Sequence, residues 1–340
     1  MQQLRYAETE LMRDHDYAAP QVVAGHRLHG GFDRGGRYLS PRTLVREPAV
    51  DAWTEALRGR GGELMQADAS LLAGVRMPNT PQHRLLLRSG LEQTFWNNLT
   101  IIGLIEGRGR ILADIPLPDF QDVIVEDIAE TAVGHLGRGM LKAHGLDEGG
   151  EPERSIGGHD VMWFALRDLA FGPTTWPAPE VPATISRPES ANPLPEIARP
   201  QAQMLSFLMN LLLIEFRAEI GFESTATLLR DADLFRERRR EAEDAAVIVE
   251  RIRQDEKLHV DSLRLYLGEL RDLTFRTLDG GTTRGDRLID PFWTGLVHWA
   301  TVEQPRLNAE RTHDMLAGRI LAHPDGERIL REFDALGTPR

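Results

Sequence analysis

The sequence predicts an all-α protein, and three observations predict it. Apolar residues recur at steps of three and four over several long windows, whereas period-two strand patterns are scarce. The strongest windows group into two helical hairpins, residues 85–144 and 201–273, separated by a proline-rich connection. Residues 1–45 are rich in Gly, Arg and His and read as an irregular arm laid over the body. Residues 47–75 read as two short helices split at Gly59, Gly61 and Gly62. The first long helix is expected over Leu85 to Ile111, closed by Pro116 and Pro118, and a second from Phe120 to His144, stopping at Gly145. His159 to Phe171 reads as another short helix. Residues 173–200 hold eight of the 20 prolines, which removes the donors that helix or sheet would need. Gln201 to Leu229 and Phe235 to Leu273 form the most convincing helices, joined by a short turn. Smaller helices follow near Leu288–Thr301, Arg306–Leu321 and Pro324–Leu336. The chain thus divides into an N-terminal arm with short helices (1–84), a four-helix body (85–273) and C-terminal helices packed on it (274–340).

Composition narrows the chemistry. A chain of 340 residues with 41% hydrophobic and 27% charged residues suits a soluble globular protein with a sizeable core. The net charge of −12 argues against a nucleic-acid or anionic-membrane partner, since no basic excess exists to release counterions. No cysteine is present, so disulfides, iron–sulfur clusters and thiol catalysis are excluded, and a metal must use carboxylate and imidazole ligands. The N-terminus lacks a signal-peptide core, and the longest apolar run, Leu205 to Ile214, is too short for a bilayer. A cytoplasmic location is expected. Phosphate-binding loops, dinucleotide fingerprints and Gly-x-Ser-x-Gly elbows are all missing.

The informative stretch is Asp255-Glu256-Lys257-Leu258-His259. Steps of three and four from Ile252 to Leu263 pass through Glu256 and His259, so an acid and an imidazole stand where core residues belong. An inward ionisable pair must be paired, hydrogen-bonded or metal-bound. Other helices carry matching inward acids. The stripe Leu205, Leu208, Leu212, Glu215, Glu219, Phe222 makes Glu215 the preferred ligand there, with Glu219 as an alternate or supporting group. On the first helix Glu92 and Glu106 share a stripe with Phe95, Trp96, Leu99 and Ile102, and the choice between them stays open. The echo of Leu104-Ile105-Glu106-Gly107-Arg108 in Leu213-Ile214-Glu215-Phe216-Arg217 favours Glu106, whereas the usual spacing to the partner helix in di-metal bundles favours Glu92. The expected second helix offers Glu126 and Glu130, with His135 brought round only by a π-bulge near Gly134. Glu310 and His313 form a further Glu-x-x-His among polar neighbours and read mostly as a surface coincidence. His159-Asp160 reads as a helix cap, and His298 as a packed core histidine.

Two antiparallel helix pairs joined by one crossover, with Glu and Glu-x-x-His facing inward, is the layout of a ferritin-like four-helix bundle holding two metals. The Asp255–His259 motif resembles the second iron-binding motif of the soluble acyl-carrier-protein desaturases and the Asp-Glu-x-x-His motifs of the arylamine N-oxygenases. The resemblance implies that Glu256 bridges or chelates iron, His259 binds it, and Asp255 orients a ligand. The metal set expected from the sequence is Glu106, Glu126, Glu130, His135, Glu215, Glu256 and His259. The expected function is a non-haem di-iron, or Mn/Fe, oxidase or oxygenase using O2 on a small organic substrate, admitted by an apolar channel near Phe95 and Trp96. An electron-donor protein and a homodimer are possible partners. Two alternatives stand beside it. One is a metal-free helical binding or structural protein whose acids pair with Arg108, Arg217 or Arg251. The other is a ferritin-like metal binder without turnover.

Overall fold

A computed structural model describes residues 4–67, 71, 78–172, 176–188 and 192–337, and the side chains of all these except 308–310. The protein is mostly helical, with two small antiparallel sheets. Among the described residues no helix is long and apolar enough to cross a membrane. Chain order runs through α1 (Glu8–Leu11), β1 (Ala19–Val23), β2 (His26–Phe32), β3 (Tyr38–Leu39), α2 (Arg46–Gly59), α3 (Thr80–Arg88) and α4 (Gln93–Glu106). It continues through α5 (Leu141–Gly149), α6 (His159–Phe171), α7 (Arg199–Arg230), α8 (Arg239–Asp272), β4 (Thr274–Arg276), β5 (Thr282–Arg284), α9 (Gly285–His298), α10 (Gln304–Leu321) and α11 (Gly326–Gly337).

The long pair α7 and α8 forms as its patterning demands. Pro200 sits in the first turn of α7, where a missing N–H costs nothing, and buried apolar residues run the length of both helices. Three other expectations need correction. The helix expected over 85–111 is three pieces. Asn79 and Gln82 cap α3 reciprocally at 2.9 Å, Gly90 at φ +75 ends it, and α4 passes into a 3₁₀ segment over 107–113. The helix expected over 120–144 does not form. Val123-Ile124-Val125 is a β-branched run, and it takes extended pairing against β4, with Val125 N donating to Thr274 O at 2.9 Å. A π-type segment over 136–140 does occur, but beyond His135, and Gly139 at φ +104 breaks it. Gly145, expected just past a helix end, lies inside α5. The N-terminal arm, expected to be irregular, carries the sheet β1–β2–β3, in which β2 bonds to the loop before α6 through His29 N and Gly157 O at 2.9 Å. The second of the two helices expected over 47–75 falls largely outside the described residues.

Two apolar cores meet along α8. One includes Val249 and Ile252 with Phe95, Trp163 and Phe222; the other begins at Leu258 and continues through Leu263 and Leu270 with Trp53, Leu205 and Phe275. Asp255 and Glu256 fall in the gap between them, and His259 directly follows Leu258.

Candidate metal centre

Five helices bring seven side chains to that gap. Glu106 ends α4, His144 and Glu148 stand one turn apart on α5, His159 opens α6, Glu215 is mid-way along α7, and Glu256 and His259 share one face of α8. Close backbone approach makes this possible. A Cβ at Gly103 would lie 2.7 Å from Phe164 Cε1, so glycine lets α4 press onto α6 and delivers Glu106 beside His159. A Cβ at Gly109 would meet Glu148 Cγ at 2.6 Å, so the 3₁₀ segment lies directly on that glutamate.

The side chains form two sets of four that share Glu148. One set is His144, Glu148, Glu215 and His259; the other is Glu106, Glu148, His159 and Glu256. Within each set one ligand-type atom per residue lies within 4.8 Å of all the others. In the first, His144 Nε2 stands 3.0 Å from Glu215 Oε1 and His259 Nδ1 is 3.2 Å from Glu148 Oε1. In the second, His159 Nδ1 lies 2.9 Å from Glu256 Oε1 and 3.5 Å from Glu148 Oε1. Glu256 also reaches across, its Oε2 3.0 Å from His259 Nδ1. Yet Glu148 Oε1, Glu256 Oε1 and His159 Nδ1 are buried and in no hydrogen bond. Ligand-type atoms that converge at these distances without a well-aligned hydrogen bond leave a place that a cation could fill.

Two aspartates set the ring orientations. His259 Nε2 meets Asp147 Oδ2 at 3.1 Å and His159 Nε2 meets Asp255 Oδ2 at 3.3 Å. A ring nitrogen that donates outward to a carboxylate leaves the other nitrogen's lone pair facing inward, the usual support of a metal-bound imidazole. Burial and the neighbouring Glu148 push the Glu106 carboxyl well above its ordinary range, and burial with Glu256 does the same to Glu215. Burial, and then the nearby His259, hold His144 down to about 3, hence neutral and able to ligate. The four carboxylates are too close to ionise together without added positive charge. Against burial, Glu256 and the other acids hold His159 and His259 well above the ordinary imidazole range, so a cation would have to displace their protons. With all three imidazoles then neutral, the four carboxylates match the charge of two divalent cations.

Of the residues expected from sequence, Glu106, Glu215, Glu256 and His259 come together here. Glu126, Glu130 and His135 do not. Glu126 accepts from Thr274 N at 3.0 Å near the surface, Glu130 pairs with Arg5 at 3.5 Å, and buried His135 is bonded to Tyr6 N and Thr131 O. Glu92 is exposed and Glu106 is the glutamate of that helix that joins the cluster. Glu219 pairs with Arg253. His313 meets Asp334 at 2.9 Å, and the Glu310 side chain lies outside the described residues. Phe95 and Trp96 are core residues at the far end of α4 from Glu106, not a channel beside it. His298, expected in the core, is exposed.

His144, Glu148 and His159 were not foreseen as ligands. His159, expected as part of a helix cap, is instead the first residue of α6, whose N-cap is Gly158 with no side-chain cap hydrogen bond, while Glu148 lies beyond Gly145, where a helix was expected to stop. One signal was available: Asp-Glu occurs only twice in the chain, at Asp147-Glu148 and Asp255-Glu256. Each dipeptide gives its Glu to the centre and its Asp to a histidine on another helix. Compared with family models, with characterised proteins and with solved structures, the chain matches none.

Proposed function

We propose that the cluster is a binuclear metal centre of a ferritin-like, non-haem oxidase or oxygenase, holding two irons or one manganese and one iron. The observation that carries it is the pair of four-residue sets sharing Glu148, in which Glu148 Oε1, Glu256 Oε1 and His159 Nδ1 are buried and in no hydrogen bond. Carboxylate oxygens with three imidazoles suit iron and manganese, whereas magnesium and calcium take oxygen alone. In this reading α4, α5, α7 and α8 would be the four bundle helices, short α5 replacing the long helix expected before the crossover, and α6 would add His159 as a fifth source of ligands.

The centre would supply the activation of O2 for attack on a C–H or N–H bond. The chain's own residues do the rest. Glu148 would serve both positions, Asp147 and Asp255 orient the rings of His259 and His159, and the two apolar cores exclude bulk water. Only Glu106 among the seven is partly exposed, so approach is on its side. There Arg108 donates to Pro182 O at 2.6 Å, drawing the proline-rich crossover over the end of α4. A cavity of about 420 Å³ lies between that crossover and α7, lined by Phe207, Leu211 and Ile214 with Arg187, Ser206 and Asn210. Its size and apolar wall suit a small organic substrate.

An ion-pair network is the weaker reading, because its arginines go elsewhere. Arg217 bonds Gln304, and Arg251 bonds Gln21 at 3.0 Å and stacks on Phe32. Metal analysis of protein from iron-supplemented cells tests the proposal, two atoms of iron or manganese per chain being expected. Less than one atom per chain would overturn it. Oxygen uptake by the ferrous protein then separates an oxidase from a passive metal binder.

A further inference from the structure

The two ligand sets are unequal, and the inequality extends outward. The set of His144, Glu148, Glu215 and His259 has two imidazoles and two carboxylates; that of Glu106, Glu148, His159 and Glu256 has one imidazole and three carboxylates. Behind the first, Asp147 is clamped by two buried arginines, Arg42 at Oδ1 and Arg46 at Oδ2, the latter at 2.7 Å. Behind the second, Asp255 accepts from Tyr38 Oη at 2.9 Å and faces His29 Nε2 at 3.0 Å, neither of which carries a fixed charge. Arg251, one turn away, spends its guanidinium on Gln21 and on the faces of Phe32 and Tyr38. Arg42 holds its place at φ +52, a costly backbone conformation for a residue with a Cβ, and its N–H is tied to Asp14 Oδ1 at 2.8 Å.

We infer that the two metal positions differ in affinity: the carboxylate-rich position at Glu106, His159 and Glu256 takes a hard divalent cation first, and Arg42 and Arg46 hold the position at His144, Glu215 and His259 weaker. The inference rests on the binuclear reading. Two buried positive charges cancel the field that Asp147 would otherwise add at His259, and a buried charge acts strongly on a divalent ion nearby. The guanidinium donors also draw electron density from Asp147, which makes His259 a poorer base toward its metal. Arg42 and Arg46 are therefore positioning residues acting through Asp147.

Manganese(II) is the probe, because a hard ion low in the affinity order responds chiefly to charge. Full-length protein stripped with a chelator is titrated with Mn2+, free metal being followed by its EPR signal and heat by calorimetry. Two steps are expected, with dissociation constants at least about tenfold apart. Glu106→Gln should abolish the tight step, and His144→Ala only the weak one. Arg46→Gln should tighten the weak step about tenfold, by removing a buried charge. Arg46→Lys, keeping the charge, should leave both steps in place. A purely structural arginine would loosen binding when removed, which is the opposite sign. If Arg46→Gln does not melt cooperatively, Arg42→Gln makes the same test. One step of two equal sites, loss of the tight step in His144→Ala, or unchanged or weaker binding in the glutamine variant each overturns the inference. No Mn2+ binding at all would instead sink the binuclear reading beneath it.

Discussion

Glu148 belongs to both ligand sets, so its removal should differ in kind from that of its neighbours. Glu148→Ala is expected to lower metal content from two atoms per chain to below one, whereas His144→Ala should leave about one. Metal analysis of the two purified variants checks this, and equal loss in both would contradict a shared carboxylate. A second residue offers a test independent of metal. Burial pushes the Glu269 carboxyl up to about 7, against backbone donors from residues 132 and 133 and the nearby Arg60 that lower it. Because the folded state keeps this proton when the unfolded chain releases it, the associated stability is full below about 4.5 and is lost as pH rises to about 7. The loss is up to about 3 kcal/mol. Glu269→Gln should melt with a flatter pH profile than the parent over that window, and parallel profiles would refute it. At this scale the sequence was half legible. Glu256 and His259 stood out because their helix is long and its stripe unbroken, whereas His144 and Glu148 sit on nine residues with no stripe to interrupt.

Between elements, the site depends on glycines that let backbones touch. Gly109 lies on Glu148, and a methyl there would meet Glu148 Cβ at 2.8 Å as well as Cγ, neither atom free to swing aside. Gly109→Ala should therefore cost about 1–3 kcal/mol by overpacking and displace Glu148 from both metal sets. Gly318→Ala is the contrast: it lies within α10 with nothing within 4 Å of the added methyl, and should stabilise by up to about 1 kcal/mol. Thermal melts with metal analysis of both variants decide the matter; normal metal content in Gly109→Ala would remove the contact from the argument. The same scale explains which helices could be read. The spans of α6, α7 and α8 follow from local periodicity and local stops. The failed helix over 120–144 was decided by partners far away in sequence, since residues 123–125 pair with β4 about 150 positions later.

For the molecule as a whole, the centre is where two apolar cores would otherwise join. With no cation bound, burial and then the neighbouring Glu148 and Glu256 hold the Glu106 and Glu215 carboxyls well above their ordinary range. Metal bound there would offset that cost and tie α4, α5, α6, α7 and α8 together, with the N-terminal arm fastened behind through Tyr38, Arg42 and Arg46. Binding to the folded chain alone adds about 4 kcal/mol per site at free metal a thousandfold above Kd. Spread over an unfolding entropy of about 2.1 cal/mol/K per residue, 340 residues give roughly 6 °C per site. Stripping both metals should thus lower Tm by about 10 °C, and re-adding iron or manganese should restore it. Glu148→Ala controls for effects of the chelator itself, because a chain unable to hold either metal has nothing to lose. If the parent melts at one temperature with and without chelator, the cluster contributes no metal-linked stability, and its convergent lone pairs need another explanation.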